Sequence, residues 1–390
     1  MTQEPLERQR MMMSYVHDFG PFDERVWLNC AHQGPLPHVA IEAAYEALSW
    51  KIAPYHLTDD LFAAIPAQMR AALGRLVAVP ADDIILGNST SYGLHLLANG
   101  LPWRSGDEVL LVDGDYPADV FPWLDLQEQG VHIRFLHPQH LAVQAEELEN
   151  ALSDATRVFC TTWVNSFSGA AIDLHALGTV CRTHNVLFVV NGSQALGARP
   201  LDISQTPLDA FTCCGYKWLC GPYATGFCWI RPDVRESLAY NQAYWLTMQA
   251  GRDLNHMRDY TVRTDLGARK YDVFCTANFL DIKPWLAAVE YLLTQGIEQI
   301  AAYNERLVTH LIEGLDPNLY TLLSPREGPA RSTLVFVTHR TAERNPAIYT
   351  ALKHSGIDLS LREGQLRFSP HLYNTEEEID HALQTLATME

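Results

Sequence analysis

Lys217 is the residue of this chain best placed for covalent chemistry. It lies in the run Cys214-Gly215-Tyr216-Lys217-Trp218, a turn of small and aromatic residues ahead of Gly221-Pro222. Apolar runs flank the turn, residues 208–213 before it and 226–230 after it. Lysine is scarce in this sequence, and a lysine among apolar neighbours reads as a desolvated amine rather than a solvated surface charge. Such an amine can form a Schiff base with a carbonyl compound. Upstream, the apolar run 186–190 ends in Asn191, Ser193 and Gln194. That pattern predicts a buried parallel strand with polar groups at its C-terminal end, where open α/β sheets bind ligands.

A strand-end residue, a Gln three positions later and a Lys ahead of Gly-Pro together resemble the aminotransferase class V family. Its members are fold type I enzymes dependent on pyridoxal 5′-phosphate (PLP). The resemblance implies that Asn191 meets the pyridine nitrogen, Gln194 the ring hydroxyl, and Lys217 carries the cofactor as an imine. Cys214 and Tyr216, beside the lysine, join the cofactor-binding set. The chain departs from the family at Asn191, where Asp is usual.

Other stretches fit the same resemblance. Ser89 and Thr90 lie in Gly87-Asn88-Ser89-Thr90-Ser91-Tyr92-Gly93, between a short strand and a helix. Free N–H groups and the helix dipole suit that place to a phosphate; a plain N-cap is the alternative. Tyr116 stands where the family has a ring stacked on PLP, or else is a turn tyrosine. Asn165 or Ser166 occupies the place of an Asn that touches the cofactor hydroxyl. Asn29 falls in a small-residue loop near the substrate, unless that loop is only a turn before a helix. Arg367, in LRFSPHLYNTEEEID, matches the arginine that grips the substrate carboxylate; a surface salt bridge is the alternative. Thr276 corresponds to a Thr that reaches the neighbouring subunit's cofactor phosphate, although Cys275 replaces the preceding Gly. The resemblance thus implies a homodimer with a shared active site.

Strands at 84–86, 108–112, 131–136, 157–163, 186–190, 208–213 and 226–230 alternate with helical stretches, the signature of a mostly parallel sheet covered on both faces. Right-handed crossovers bring the loops of Thr90, Tyr116, Asn165, Asn191 and Lys217 to one edge. Residues 240–272 read as a long aromatic and Arg-rich rim loop, with Tyr244 and Trp245 as candidate pocket walls. Helices at 279–295 and 297–314, strands at 333–337, 357–359 and 366–368, and helices at 345–355 and 375–389 describe a small α+β domain. Thr375 and Glu378 form a capping box. The expected division is 21–275 for a large PLP-binding domain, with 1–20 and 276–390 forming the small one.

The chain has 390 residues and a net charge of −18. That balance argues against nucleic acid or anionic membrane as a main partner. No apolar run approaches the ~20 residues of a membrane span, and residues 1–20 lack the apolar core of a signal peptide, so a cytoplasmic location is expected. The eight cysteines sit mostly in apolar stretches without a CxxC pair, which predicts buried thiols. No metal site is expected.

The resemblance also implies a chemistry. PLP supplies carbanion stabilisation, Lys217 serves as general base at Cα, and the small substrate is an amino acid. A neutral Asn191 can donate a hydrogen bond to an unprotonated ring nitrogen but offers no charge, so the ring is expected to be a poorer electron sink. Transamination should suffer most, β-elimination and racemisation less. Cysteine desulfurases of this family use a mobile Cys in the C-terminal part, and no Cys follows Cys275. The expectation is a lyase or epimerase, from the branch of isopenicillin-N-epimerase-like proteins and cysteine C–S lyases. An aminotransferase or oxidative enzyme of secondary metabolism is the second reading. A non-catalytic binding protein on the same fold is the third.

Overall fold

The computed structural model describes residues 15–239, 243–249, 255–258 and 260–389. Most of the expected N-terminal segment and part of the rim loop lie outside the described residues. The chain enters through β1 (Val26–Trp27), α1 (His38–Ile52) and α2 (Asp59–Val77). It then builds a seven-stranded sheet from β2 (Ile84–Gly87), β3 (Glu108–Val112), β4 (His132–Leu136), β5 (Thr156–Thr162), β6 (Leu187–Asn191), β7 (Ala210–Cys214) and β8 (Gly226–Ile230).

The strand order is β2-β8-β7-β6-β5-β3-β4. β8 runs antiparallel to both of its neighbours; the other pairings are parallel. Apolar side chains fill both faces, and β2, β3, β7 and β8 are buried along their whole length, as befits strands covered on two sides. Helices α3 (Thr90–Gly100) and α5 (Leu174–Thr183) provide part of that cover, and α4 (Ala145–Ala151) lies between them in sequence. α3 approaches the sheet closely because Gly93 has no side chain: a Cβ there would lie 2.8 Å from Thr212 Oγ1 and 2.7 Å from Cys228 Cβ.

The C-terminal part holds α6 (Phe279–Gln295), α7 (Ile297–Gly314), β9 (Tyr320–Leu322), β10 (Val335–His339), α8 (Asn345–His354), β11 (Ile357–Asp358), β12 (Ser360–Arg362), β13 (Gln365–Phe368) and α9 (Glu376–Ala387). Four of its strands form an antiparallel sheet in the order β12-β13-β10-β9. The capping box of Thr375 and Glu378 is present at the start of α9. Strands β9 and β12, three residues each, were not legible as apolar alternations.

The N-terminal strand meets the C-terminal part of the chain: β1 pairs in parallel with β11, and Asn29 bridges to Ser369. In sequence residues 26–29 show only an apolar strand, without its partner.

Candidate active site

The C-terminal ends of the parallel strands meet at one edge, where a cleft of about 370 Å³ opens. Ser89, Thr90, Tyr116, Asn191, Cys214, Tyr216 and Lys217 line it, together with Ser193 and Tyr223. These positions come from four separate strand ends and converge as the crossover rule requires.

Lys217 is 8% exposed. Its Nζ lies 5.5 Å from the centre of the Tyr116 ring and 6.0 Å from that of Tyr216. The turn that carries it is closed by backbone bonds: Gly215 N–H to Thr225 O, Gly221 N–H to Gly215 O, and Cys220 N–H to Lys217 O, at 2.8, 2.8 and 3.0 Å. Gly34 supports it from below, donating its N–H to Tyr216 O at 2.9 Å. A Cβ on Gly34 would sit 2.1 Å from the Lys217 carbonyl oxygen, which is why glycine stands there.

The opposite end of the cleft is the start of α3. Ser89 is its N-cap, accepting from Tyr92 N–H. Thr90 and Ser193 share a hydroxyl–hydroxyl bond, Cys214 N–H donates to Ser193 Oγ at 3.2 Å, and Thr212 Oγ1 donates to Thr90 O at 2.8 Å. Helix start, hydroxyl groups and strand end are thus locked together. Burial pushes the Tyr216 phenol pKa up, and its ring packs on Tyr223 with centroids 4.6 Å apart.

Asn191 closes the side of the cleft. Its Oδ1 accepts from Ser193 N–H at 2.9 Å, and its Nδ2 donates to Asp119 Oδ2 at 2.9 Å. Gln194 lies deeper and does not line the cleft. It donates to Ala31 O at 3.1 Å, accepts from Trp218 Nε1 at 3.1 Å, and reaches Ser166 Oγ at 3.5 Å. Asn165 is not brought to the cleft. Its Nδ2 donates to Gly114 O and Asp115 Oδ1, and its Oδ1 accepts from Phe167 and Ser168 N–H, so its polar atoms hold a loop. Thr276 is nearly buried just before α6, outside the cleft, after Cys275 in a left-handed conformation (φ 59°).

Asn29 and Arg367, 338 positions apart in sequence, do come together. Ser360 Oγ donates to Asn29 Oδ1 at 2.7 Å and accepts from Arg367 Nη2 at 3.2 Å. Arg367 is 2% exposed, so the surface salt bridge is overturned. Among the described residues it has no carboxylate partner and its Nε has no hydrogen-bond partner. Burial, then the charge of Arg362, pulls its pKa down to about 9; it still carries its charge at neutral pH. His32 lies in the same field. Burial first, then Arg362, Arg367 and Lys217 lower its pKa.

Sequence reading named Ser193 only as a polar strand-end residue, and it missed His32 and an acid pair, Asp115 and Asp119. The spacing Asp113-x-Asp115-x-x-x-Asp119 around Tyr116 was the available signal. Asp115 accepts from Thr161 Oγ1, Thr162 N–H, Thr162 Oγ1 and Asn165 Nδ2.

This arrangement suits PLP. A helix start with hydroxyl groups can take a phosphate, Lys217 lies near two aromatic rings, and the Asn191 amide lines the same cleft. The aminotransferase class-V family model matches residues 37–382. The chain belongs to the aminotransferase class-V family. It is a PLP-dependent enzyme of fold type I.

Within the class-V proteins, it is 28% identical over 379 residues to isopenicillin N epimerase of Streptomyces clavuligerus, covering 92% of this chain and 93% of that protein. It is 26% identical over 340 residues to a probable cysteine desulfurase of Methanothermobacter thermautotrophicus, covering 82% of each. Among solved structures, the cystine C–S lyase C-DES bound to its product cysteine persulfide superposes with a TM-score of 0.85 at 25% identity, over 93% of this chain and 97% of that one. That structure shares its fold with this chain along almost the whole length.

Proposed function

We propose that this enzyme removes the Cα proton of an amino acid and then eliminates a group from Cβ, a carbon–sulfur lyase reaction. The observation that carries the reading is Arg367, a buried cation with no carboxylate partner among the described residues, whose charge reaches His32 together with that of Lys217. A substrate α-carboxylate supplies the missing partner, and a planar guanidinium holds it in two hydrogen bonds. Asn29 fixes Ser360, which fixes Arg367, so the grip is preset before substrate arrives.

When bound, PLP provides the electron sink for carbanion chemistry. Ser89, Thr90 and the start of α3 would hold its phosphate and Tyr116 would pack on its ring, while Gln194 and Ser166, bonded to each other deeper in the fold, would support the wall of the site. Lys217 would carry the cofactor covalently and would serve as the base that takes the Cα proton on Nζ. The tyrosines around Nζ keep bulk water from competing for that proton.

The likeness to C-DES supports elimination. Epimerisation is the second reading, supported by the relative of 28% identity that spans 92% of the chain. Formation of an enzyme persulfide is disfavoured because no cysteine follows Cys275. We propose further that the enzyme is a homodimer in which Thr276 of each subunit serves the other's phosphate site, and that it works in the cytoplasm. Among the described residues no helix is long and apolar enough to cross a membrane.

The test is incubation with cystine, cysteine and a panel of other amino acids in deuterated water. Release of pyruvate and ammonia with a sulfur product marks the lyase. Deuterium at Cα with inversion and no release would replace it by the epimerase. Keto acid formation coupled to an amino acceptor would contradict both.

A further inference from the structure

The class-V resemblance puts a carboxylate against the cofactor's ring nitrogen, and this chain has Asn191 there. The geometry behind Asn191 changes what that substitution means. The orientation of the amide is fixed by its neighbours. A backbone N–H can only donate, so the atom facing Ser193 N–H is Oδ1, and Nδ2 is left to donate to Asp119 Oδ2 at 2.9 Å.

Asp119 is 1% exposed, and its Oδ1 has no hydrogen-bond partner among the described residues. Its neighbour Asp115, with four donors on it, is by contrast saturated. A buried carboxyl with one donor is costly unless a positive charge compensates it. The groups that act on it are Asp115, whose like charge opposes its ionisation, and Asn191 and Lys217, which favour it. Burial, then Asp115, drive its pKa well up; a cation brought within reach favours its ionised form. The cleft that Asn191 lines is a place where a ligand can supply that cation.

We propose that Asp119 is the counter-charge of the cofactor's ring nitrogen, held one side chain back and coupled to it through the Asn191 amide. The proposal rests on the PLP reading of the cleft. The negative charge is displaced, not lost. Asp119 is a positioning residue: it polarises the amide, fixes its orientation and stabilises a protonated nitrogen beyond it. This corrects the expectation of a charge-free site, which considered position 191 alone. It also makes Asn191→Asp by itself a poor mimic of the family pattern, because two carboxyls at 2.9 Å would have to share a proton.

The test is nitrogen NMR of full-length protein loaded with PLP carrying ¹⁵N in its ring, on wild type, Asp119→Asn, and the exchanged double variant Asn191→Asp with Asp119→Asn. Cofactor affinity and thermal unfolding are measured on the same samples. The wild type is expected to show the protonated-nitrogen resonance. Asp119→Asn, nearly the same in shape, should move it toward the unprotonated position and weaken PLP binding on the order of tenfold, the factor of one pKa unit. The double variant should restore both. An unchanged resonance in Asp119→Asn, with cofactor bound, overturns the proposal and leaves the PLP reading standing. A wild type that binds no PLP overturns both.

Discussion

Arg367 is a buried cation with no carboxylate partner among the described residues, and that is the strongest statement any single residue makes here. Charge-assisted hydrogen bonds contribute about 1.5–3 kcal/mol each. Arg367→Ala should therefore lower kcat/KM by roughly 10- to 100-fold, mainly through KM; steady-state kinetics with a substrate and its amide analogue check this, because the amide should lose little. Lys217→Ala should lower turnover by about two to four orders of magnitude, the range for loss of one general base. Sequence made these two residues legible because each sits in a motif of unusual neighbours. Asp119 was illegible because its meaning lies in one hydrogen bond to Asn191, 72 positions away. Asn165 stands at the expected strand end, and its side chain bonds Gly114, Asp115, Phe167 and Ser168, partners that its position in sequence does not reveal.

At the scale of elements, the lysine turn is wedged between the loop of Gly34 and the C-terminal signature. Gly34→Ala has no room against the Lys217 carbonyl and should cost about 1–3 kcal/mol; thermal unfolding together with PLP occupancy would measure it. Behind the turn, His371 meets Trp218 O through Nε2 at 3.2 Å, so that nitrogen carries the proton, while Nδ1 accepts from Asn304 at 3.0 Å. Burial pulls the His371 pKa down to about 3, so the native state holds it neutral. The unfolded chain takes up a proton near pH 6.5, and stability from this group is complete above that pH and lost as pH falls toward 3. The loss at pH 5 should be roughly 2 kcal/mol, and His371→Gln should flatten the dependence; denaturant unfolding from pH 5 to 8 reads it. The helix at 279–295 and the strand at 226–230 were legible to the residue because their apolar periods are long and uninterrupted. The three-residue strands β9 and β12 exist through their partners in the small sheet, which no local period reveals.

At the scale of the whole molecule, the proposed cofactor wall belongs to the seven-stranded sheet and the proposed substrate grip to the C-terminal antiparallel sheet, and residues 26–34 contact both parts. The sheet order and its one antiparallel strand follow from alternation of strands and helices only in part. Alternation predicts a mostly parallel sheet, while the place of β8 between β2 and β7 depends on contacts distant in sequence. The proposed dimer predicts a mass near twice 43.9 kDa by light scattering. A fully active monomer would contradict the shared site. The central claim, that Lys217 links PLP in this cleft for work on amino acids, is tested most directly by a visible absorption spectrum of the protein with PLP, before and after a panel of amino acids, beside Lys217→Ala. The account predicts a yellow band that is absent in the variant and shifts with the substrate. No band in the wild type, or the same band in both proteins, would contradict it.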